Sequence, residues 1–127
     1  MAWSHDEVKQ IGDAEELQLA STRVEGGVST YTTMWVVRVG DDLYVRSAGG
    51  PNRPWYRRAM SSGSGRIRAG SIERDVTFGE VDSNSQSKID SAYHAKYDRY
   101  GQNIVGHVVG PKSYAATILL LSRPNAD

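Results

Sequence analysis

Apolar and polar residues alternate along much of this chain, and breaks rich in glycine or proline cut the alternation into short pieces. Leu17 and Leu19 alternate with Gln18 and Ala20, which predicts a first strand. Thr32 to Val39, TTMWVVRV, is β-branched and aromatic and predicts a second. After the turn Gly40-Asp41-Asp42, Leu43 to Ala48 predicts the returning strand of a hairpin. Arg66 to Ala69 and Ile72 to Val81, joined across Gly70, predict a second hairpin with Ile72, Val76 and Phe78 on one face. Ile104 to Val109 reads as a short strand, Gly110-Pro111 as a turn, and Ser113 to Ser122 as the last strand.

Helical signals fall between these pieces. Ser4 and Glu7 form a capping box, and Trp3 with Val8 a hydrophobic staple, so residues 1–12 predict a helix stopped by Gly12. Pro54 suits the first turn of a helix over Trp55 to Met60, ended by SSGSG. Ser87, with Asp90 three residues on, predicts the cap of a third helix carrying Ile89, Ala92, Tyr93, Tyr97 and Tyr100 at helical spacing. Residues 124–127 read as a frayed tail. Antiparallel hairpins with helices in their connections predict an α+β fold, and closing the sheet into a barrel would remove its open edges.

Length and charge narrow the picture further. The 127 residues suit one domain, 1–127, able to bury a core without staples. No cysteine is present, so disulfides, thiolate nucleophiles and thiolate zinc sites are excluded. The longest apolar run, Ala115 to Leu121, is too short to span a bilayer, and MAWSHDEVK carries no signal-peptide core, so a cytoplasmic location is expected. Lys+Arg and Asp+Glu both number 15, which argues against nucleic-acid or membrane-surface partners. The charge is uneven, however: Arg46, Arg53, Arg57, Arg58, Arg66 and Arg68 share a window without Asp or Glu.

The candidate chemistry lies in that window. In LYVRSAGGPNRPWYRRAM a strand ends in Arg46-Ser47, Gly49 and Gly50 free the backbone, and a helix opens at Pro54. Backbone N–H groups, a helix N-terminus and guanidinium forks are the parts of a phosphate site; solvated arginines on a surface loop are the alternative of equal weight. Trp35, Tyr44, Trp55, Tyr56, Tyr93, Tyr97 and Tyr100 read first as core or dimer-interface residues, and second as walls for a flat ring. His5, His94 and His107 have neither metal-ligand nor triad spacing and read as structural or exposed; His94, beside Tyr93, is the best placed of them to donate a proton. No carboxylate pair stands out, so an enzyme here would rely on a cofactor for the hard chemistry.

The stretches TTMWVVRVGDDLYVRSAGG, WYRRA, IDSAYHAKY and ATILLLSRP, from about Trp3 to Pro124, are similar to an uncharacterised bacterial family, the domain-of-unknown-function family twenty-two fifty-five. More distantly, Ser47, Gly49, Gly50, Pro54, Trp55 and Tyr56 resemble the flavin- and deazaflavin-binding split-barrel superfamily. The resemblance implies a six-stranded antiparallel split β-barrel with three short helices, acting as a homodimer. It implies FMN or a deazaflavin in a groove, with Arg46, Ser47, Gly49 and Gly50 at its phosphate, Arg57 or Arg58 assisting, and Trp55 and Tyr56 packing the site. The third helix, with Tyr93, Lys96 and Tyr97, would lie toward a small organic substrate, and Tyr93 or Tyr97 would donate a proton during hydride exchange. A cofactor-free barrel that binds, cyclises or isomerises an anionic molecule, and a non-catalytic interaction module, are the other readings.

Overall fold

The computed structural model describes residues 3–123. Helix α1 (His5–Asp13) begins at the expected box: the Ser4 hydroxyl accepts from Glu7 N–H, and the Glu7 carboxylate accepts from Ser4 N–H. It runs through Gly12, whose missing side chain makes room for Arg38, 2.9 Å from where a Cβ would stand. Strands β1 (Leu17–Ser21), β2 (Thr32–Met34), β3 (Val37–Val39) and β4 (Asp42–Arg46) precede helix α2 (Pro54–Ser62), which Gly63 closes in the left-handed conformation. Strands β5 (Ser64–Ala69) and β6 (Ile72–Gly79) form the second hairpin. Helices α3 (Gln86–Tyr97), α4 (Gln102–Val105) and α5 (Pro111–Tyr114) lead to β7 (Thr117–Ser122). The expected frayed tail, 124–127, lies outside the described residues.

All strand pairs are antiparallel, in the order β2-β1-β5-β6-β7-β4-β3. The two edges, β2 and β3, are the halves of the single strand expected over 32–39, separated only by Trp35 and Val36. The sheet therefore curls until its edges meet at one break in one strand. The pattern predicts seven strands; losing the one expected at 104–109 and dividing the one over 32–39 again makes seven segments, where the resemblance implied six. Gly65 serves the curl: a Cβ there would stand 1.9 Å from the Ala20 carbonyl oxygen, so β1 and β5 approach as only glycine allows.

Strand alternation divides the interior. Leu43 and Val45 of β4, Ile118 and Leu120 of β7, and Leu17 and Leu19 of β1 fill the barrel with Val8, Ile11, Ile67 and Val76. Tyr44 and Val37 face the other way and meet Ile89, Tyr93, Tyr97, Val105 and Val108 in a second apolar layer beneath α3.

At the break, α3 supplies what the missing strand partners would. The buried Tyr97 hydroxyl accepts from Val36 N–H at 3.1 Å and lies 3.0 and 2.9 Å from the Val36 and Glu15 carbonyls. Lys96 Nζ donates to the carbonyls of Gly12, Ala14 and Val36 at 2.8, 2.6 and 2.8 Å. Burial lowers the Lys96 amine to about 8, against the pull of Glu15 and Asp13, so it remains an ammonium at neutral pH. Trp35, the other residue at the break, stacks flat on Tyr97 with centroids 4.0 Å apart.

Three expectations fail locally. Ser87 does not cap α3, because a 3₁₀ turn over Ser83–Ser85, capped by Asp82, has already started the helix at Gln86. Residues 104–109 are the end of α4 and the turns after it rather than strand: Val105 N–H bonds the Gly101 carbonyl, and Val108 N–H bonds the Val105 carbonyl, which carries both valines into the layer under α3. Pro111 opens α5, delaying the last strand from Ser113 to Thr117; with α4 and α5 added, the described residues hold five α-helices where three were expected.

Tyr97→Phe leaves the buried Val36 N–H without its acceptor, and urea denaturation should show a loss of about 2 kcal/mol.

Candidate functional site

Arg46 follows Tyr44 on the outer face of β4 and so enters the layer under α3, where its side chain is fully buried. All five of its donors are taken. Nε bonds Thr117 Oγ1 at 3.0 Å, Nη1 bonds Asp90 at 2.5 Å and the Val108 carbonyl at 2.7 Å, and Nη2 bonds the Gln86 side chain and carbonyl at 2.7 and 3.3 Å. The cation lies 5.4 and 5.3 Å from the ring centroids of Tyr93 and Tyr114. Asp90 also accepts from the Tyr114 hydroxyl at 2.9 Å and from Gly110 N–H. This network ties β4, α3 and the 105–117 segment together, and Arg46 has no donor left for an external phosphate.

Ser47 is equally enclosed, at 0% exposure, and its hydroxyl has no hydrogen-bond partner among the described residues. Tyr56 packs in the barrel core and donates to the Ala115 carbonyl at 2.9 Å. Tyr93 and Tyr97 are fully buried, burial raises both phenols, and Tyr97 is committed to Val36 and Glu15. The expected catalytic pair thus faces the interior.

The remaining expected residues separate into different recesses. A pocket of about 430 Å³ opens where the strand break, the end of β4 and the start of α2 meet. Trp35 and Trp55 line it with Met34, Ile104, Arg53 and His107, and Glu16 adds a carboxylate to its wall. A neighbouring recess of about 380 Å³ holds Gly49, Gly50, Lys112 and, again, His107, which borders both. Gly49 and Gly50 have φ of 90° and 98°, conformations that side chains resist. Gly49 also gives way to Arg53, whose guanidinium lies 2.6 Å from where a Cβ would stand, and Arg53 Nε donates to the Ala48 carbonyl at 3.3 Å. Arg57 and Arg58 line a third depression, beside the β1–β2 loop.

The structure therefore brings Gly49, Gly50 and Trp55 into adjoining recesses, keeps Arg46 in the wall of the aromatic pocket with its donors spent on protein groups, and sends Ser47, Tyr56, Arg57 and Arg58 elsewhere. Trp35, Arg53, His107 and Lys112 take part in their place. Arg53 lies inside the acid-free window noted in the sequence; His107 and Lys112 arrive from a segment about sixty residues later, with no local signal to join them to it.

A curled antiparallel sheet whose edges meet at a broken strand, with helices over one face and an aromatic pocket at the break, defines a split-barrel protein. Residues 7–120 match the family described as "Uncharacterized protein conserved in bacteria (DUF2255)", and the chain belongs to that family. No curated protein sequence matches it. Solved structures share the fold at low identity. HutZ, the heme storage protein from Vibrio cholerae, is 14% identical with a TM-score of 0.58, over 97% of this chain and 91% of its own. A FAD-binding protein from Mesorhizobium loti is 15% identical with a TM-score of 0.57, over 97% of this chain and 92% of its own. An F420 reductase is 15% identical with a TM-score of 0.52, over 93% of this chain and 92% of its own. Among the described residues, no helix is long and apolar enough to cross a membrane.

The Arg46–Asp90 contact has a pH signature. Burial raises the Asp90 carboxyl, but hydrogen bonds from Arg46, Tyr114 and Gly110 N–H outweigh this and hold it below its ordinary 3.8. Its folded value lies below its unfolded one, so the stabilisation is fully present above the unfolded value and lost as pH falls through the folded value. Urea midpoints should drop from about pH 5 to about pH 2 in the wild type, and the drop should be shallower in Asp90→Asn. Arg46→Met, which strands Asp90 and two backbone carbonyls, should cost about 3–5 kcal/mol at neutral pH.

Proposed function

We propose that this protein binds a flat, ring-bearing anion of the flavin or deazaflavin type, FMN or a deazaflavin, and uses it as an oxidoreductase on a small organic substrate. The observation that carries the reading is the pairing of an apolar pocket walled by Trp35 and Trp55 with a cationic, glycine-bent recess joined to it at His107. Small-molecule sites combine such volumes, apolar walls and a few convergent polar groups. The split-barrel neighbours include proteins described as binding FAD and heme and one described as an F420 reductase, which supports a ligand of this class.

The residues fit such a group. Trp35 is already held flat by Tyr97, so its ring is ordered before a ligand arrives. Arg53 and Lys112 supply positive charge for a phosphate or carboxylate tail, and the bend at Gly49-Gly50 lets backbone come close to it. A bound flavin or deazaflavin would supply hydride exchange. The chain's part is to orient the ring, exclude water from its apolar face and give or take a proton at the His107 imidazole, a role we assign to His107 rather than to the enclosed Tyr93 and Tyr97. We extend the proposal to a homodimer, because the pocket opens to solvent beside Ile104, 52% exposed, leaving an apolar rim for a second copy to cover.

Titration with FMN or a deazaflavin should quench tryptophan fluorescence with a Kd of about 1–100 μM. The quenching should survive Trp3→Phe, since Trp3 lies away from the pocket with its indole N–H on the Leu120 carbonyl. Arg53→Ala with Lys112→Ala should weaken binding about ten- to a hundredfold, the worth of one or two charge-assisted contacts. Absence of both quenching and thermal stabilisation with FMN, FAD and a deazaflavin overturns the flavin reading. Stabilisation by carboxylated ring compounds alone would favour a cofactor-free barrel.

A further inference from the structure

Arg57 and Arg58 stand in a recess of about 490 Å³ that the aromatic pocket does not share. One wall is the second half of α2, with Arg57, Arg58 and Ser61; the other is the loop after β1, with Arg23, Glu25 and Ser29. Ion pairing sets these two arginines, with Arg53 and Arg123, apart from the other seven among the described residues. Arg23, Arg38, Arg46, Arg66, Arg68, Arg74 and Arg99 each lie against a carboxylate. Arg57 and Arg58 pair with none among the described residues. The one carboxylate lining the recess, Glu25, is already bonded by Arg23, 2.7 Å away. Three arginines against one glutamate leave two positive charges uncompensated. The sequence offers no relief, because no Asp or Glu occurs between Asp42 and Glu73. Two like charges held around one depression repel each other, and a bound anion removes that cost.

We propose that this recess is a second anion site, distinct from the aromatic pocket, for a small phosphorylated molecule carrying at least two negative charges. The stoichiometry of donors selects the class. A carboxylate has two oxygens and fills one guanidinium fork; a phosphate or diphosphate presents enough oxygens to engage two forks at once and matches the double charge. The Ser61 hydroxyl adds a neutral donor on the same wall.

The test is calorimetric titration of the full chain with inorganic pyrophosphate and with ADP, in parallel on wild type, Arg57→Ala/Arg58→Ala and Arg53→Ala/Lys112→Ala. Both arginines are exposed, so the first double variant should keep the wild-type circular dichroism spectrum and melting temperature. The expected result is that it loses at least about tenfold in pyrophosphate affinity while the Arg53/Lys112 variant binds as wild type does. Arg57→Lys/Arg58→Lys should keep part of the affinity, and added salt should weaken binding in the wild type. Equal affinity in wild type and Arg57→Ala/Arg58→Ala overturns the proposal, as does a loss confined to the Arg53/Lys112 variant. No binding of either phosphate probe at millimolar concentration also overturns it. Flavin quenching of tryptophan fluorescence should be unchanged in Arg57→Ala/Arg58→Ala, so failure here and failure of the aromatic pocket are separable.

Discussion

The barrel closes because two side chains of one helix stand in for a missing stretch of strand. At Trp35 and Val36 the chain must leave one edge of the sheet and enter the other, and its backbone groups lose regular partners there. Tyr97 and Lys96 satisfy them, reaching Val36 and also the carbonyls at the end of α1 and the start of β1. Buried backbone groups are costly when unpaired, so the break is tolerable only with α3 in place. The same contact fixes Trp35, because the ring stacked on Tyr97 is the ring that walls the pocket. Closure of the sheet and the shape of the site are therefore one problem with one solution.

Arg46 does for the rest of the helical layer what Tyr97 does for the break. Helices α4 and α5 are single turns, too short to hold themselves in water. They are held because a buried guanidinium collects the Val108 carbonyl, Asp90 and Gln86, and Asp90 in turn holds Gly110 and Tyr114. His107 and Lys112 ride on this segment, which is how they come to border the bend at Gly49-Gly50. The donors of this arginine are spent on the fold, and through them it places two other candidates.

Much of the fold was legible because it rests on short-range signals. The Ser4–Glu7 box, Pro54 at a helix start, the period-two pattern of β1 and the hairpin across Gly70 all act within a few residues. The division of strand 32–39 was not legible, since TTMWVVRV has no local breaker and is split only by the edges it must serve. Which of the candidate residues share a recess was less legible, for the same reason. Proximity in sequence gathered Arg46, Ser47, Tyr56, Arg57 and Arg58 with the two glycines, but strand and helix geometry sends neighbours to different faces. Leu43 and Val45 already mark the barrel side of β4, so the alternation alone places Arg46 on the opposite face with Tyr44. Nothing local could have named His107 or Lys112, which meet the diglycine bend only through the Arg46 network.

The aromatic pocket draws its walls from Glu16, from 33–35, from 46–55 and from 104–108. These stretches converge only after long-range contacts have formed, Arg46 to Thr117 across 71 residues and Lys96 to Gly12 across 84. Two of these walls depend on the last strand: β7 pairs with β4, and Arg46, bonded to Thr117, holds the 104–108 stretch through the Val108 carbonyl. Occupancy would therefore report completed assembly, and a ligand that settles there would protect the entire chain against unfolding rather than one corner of it.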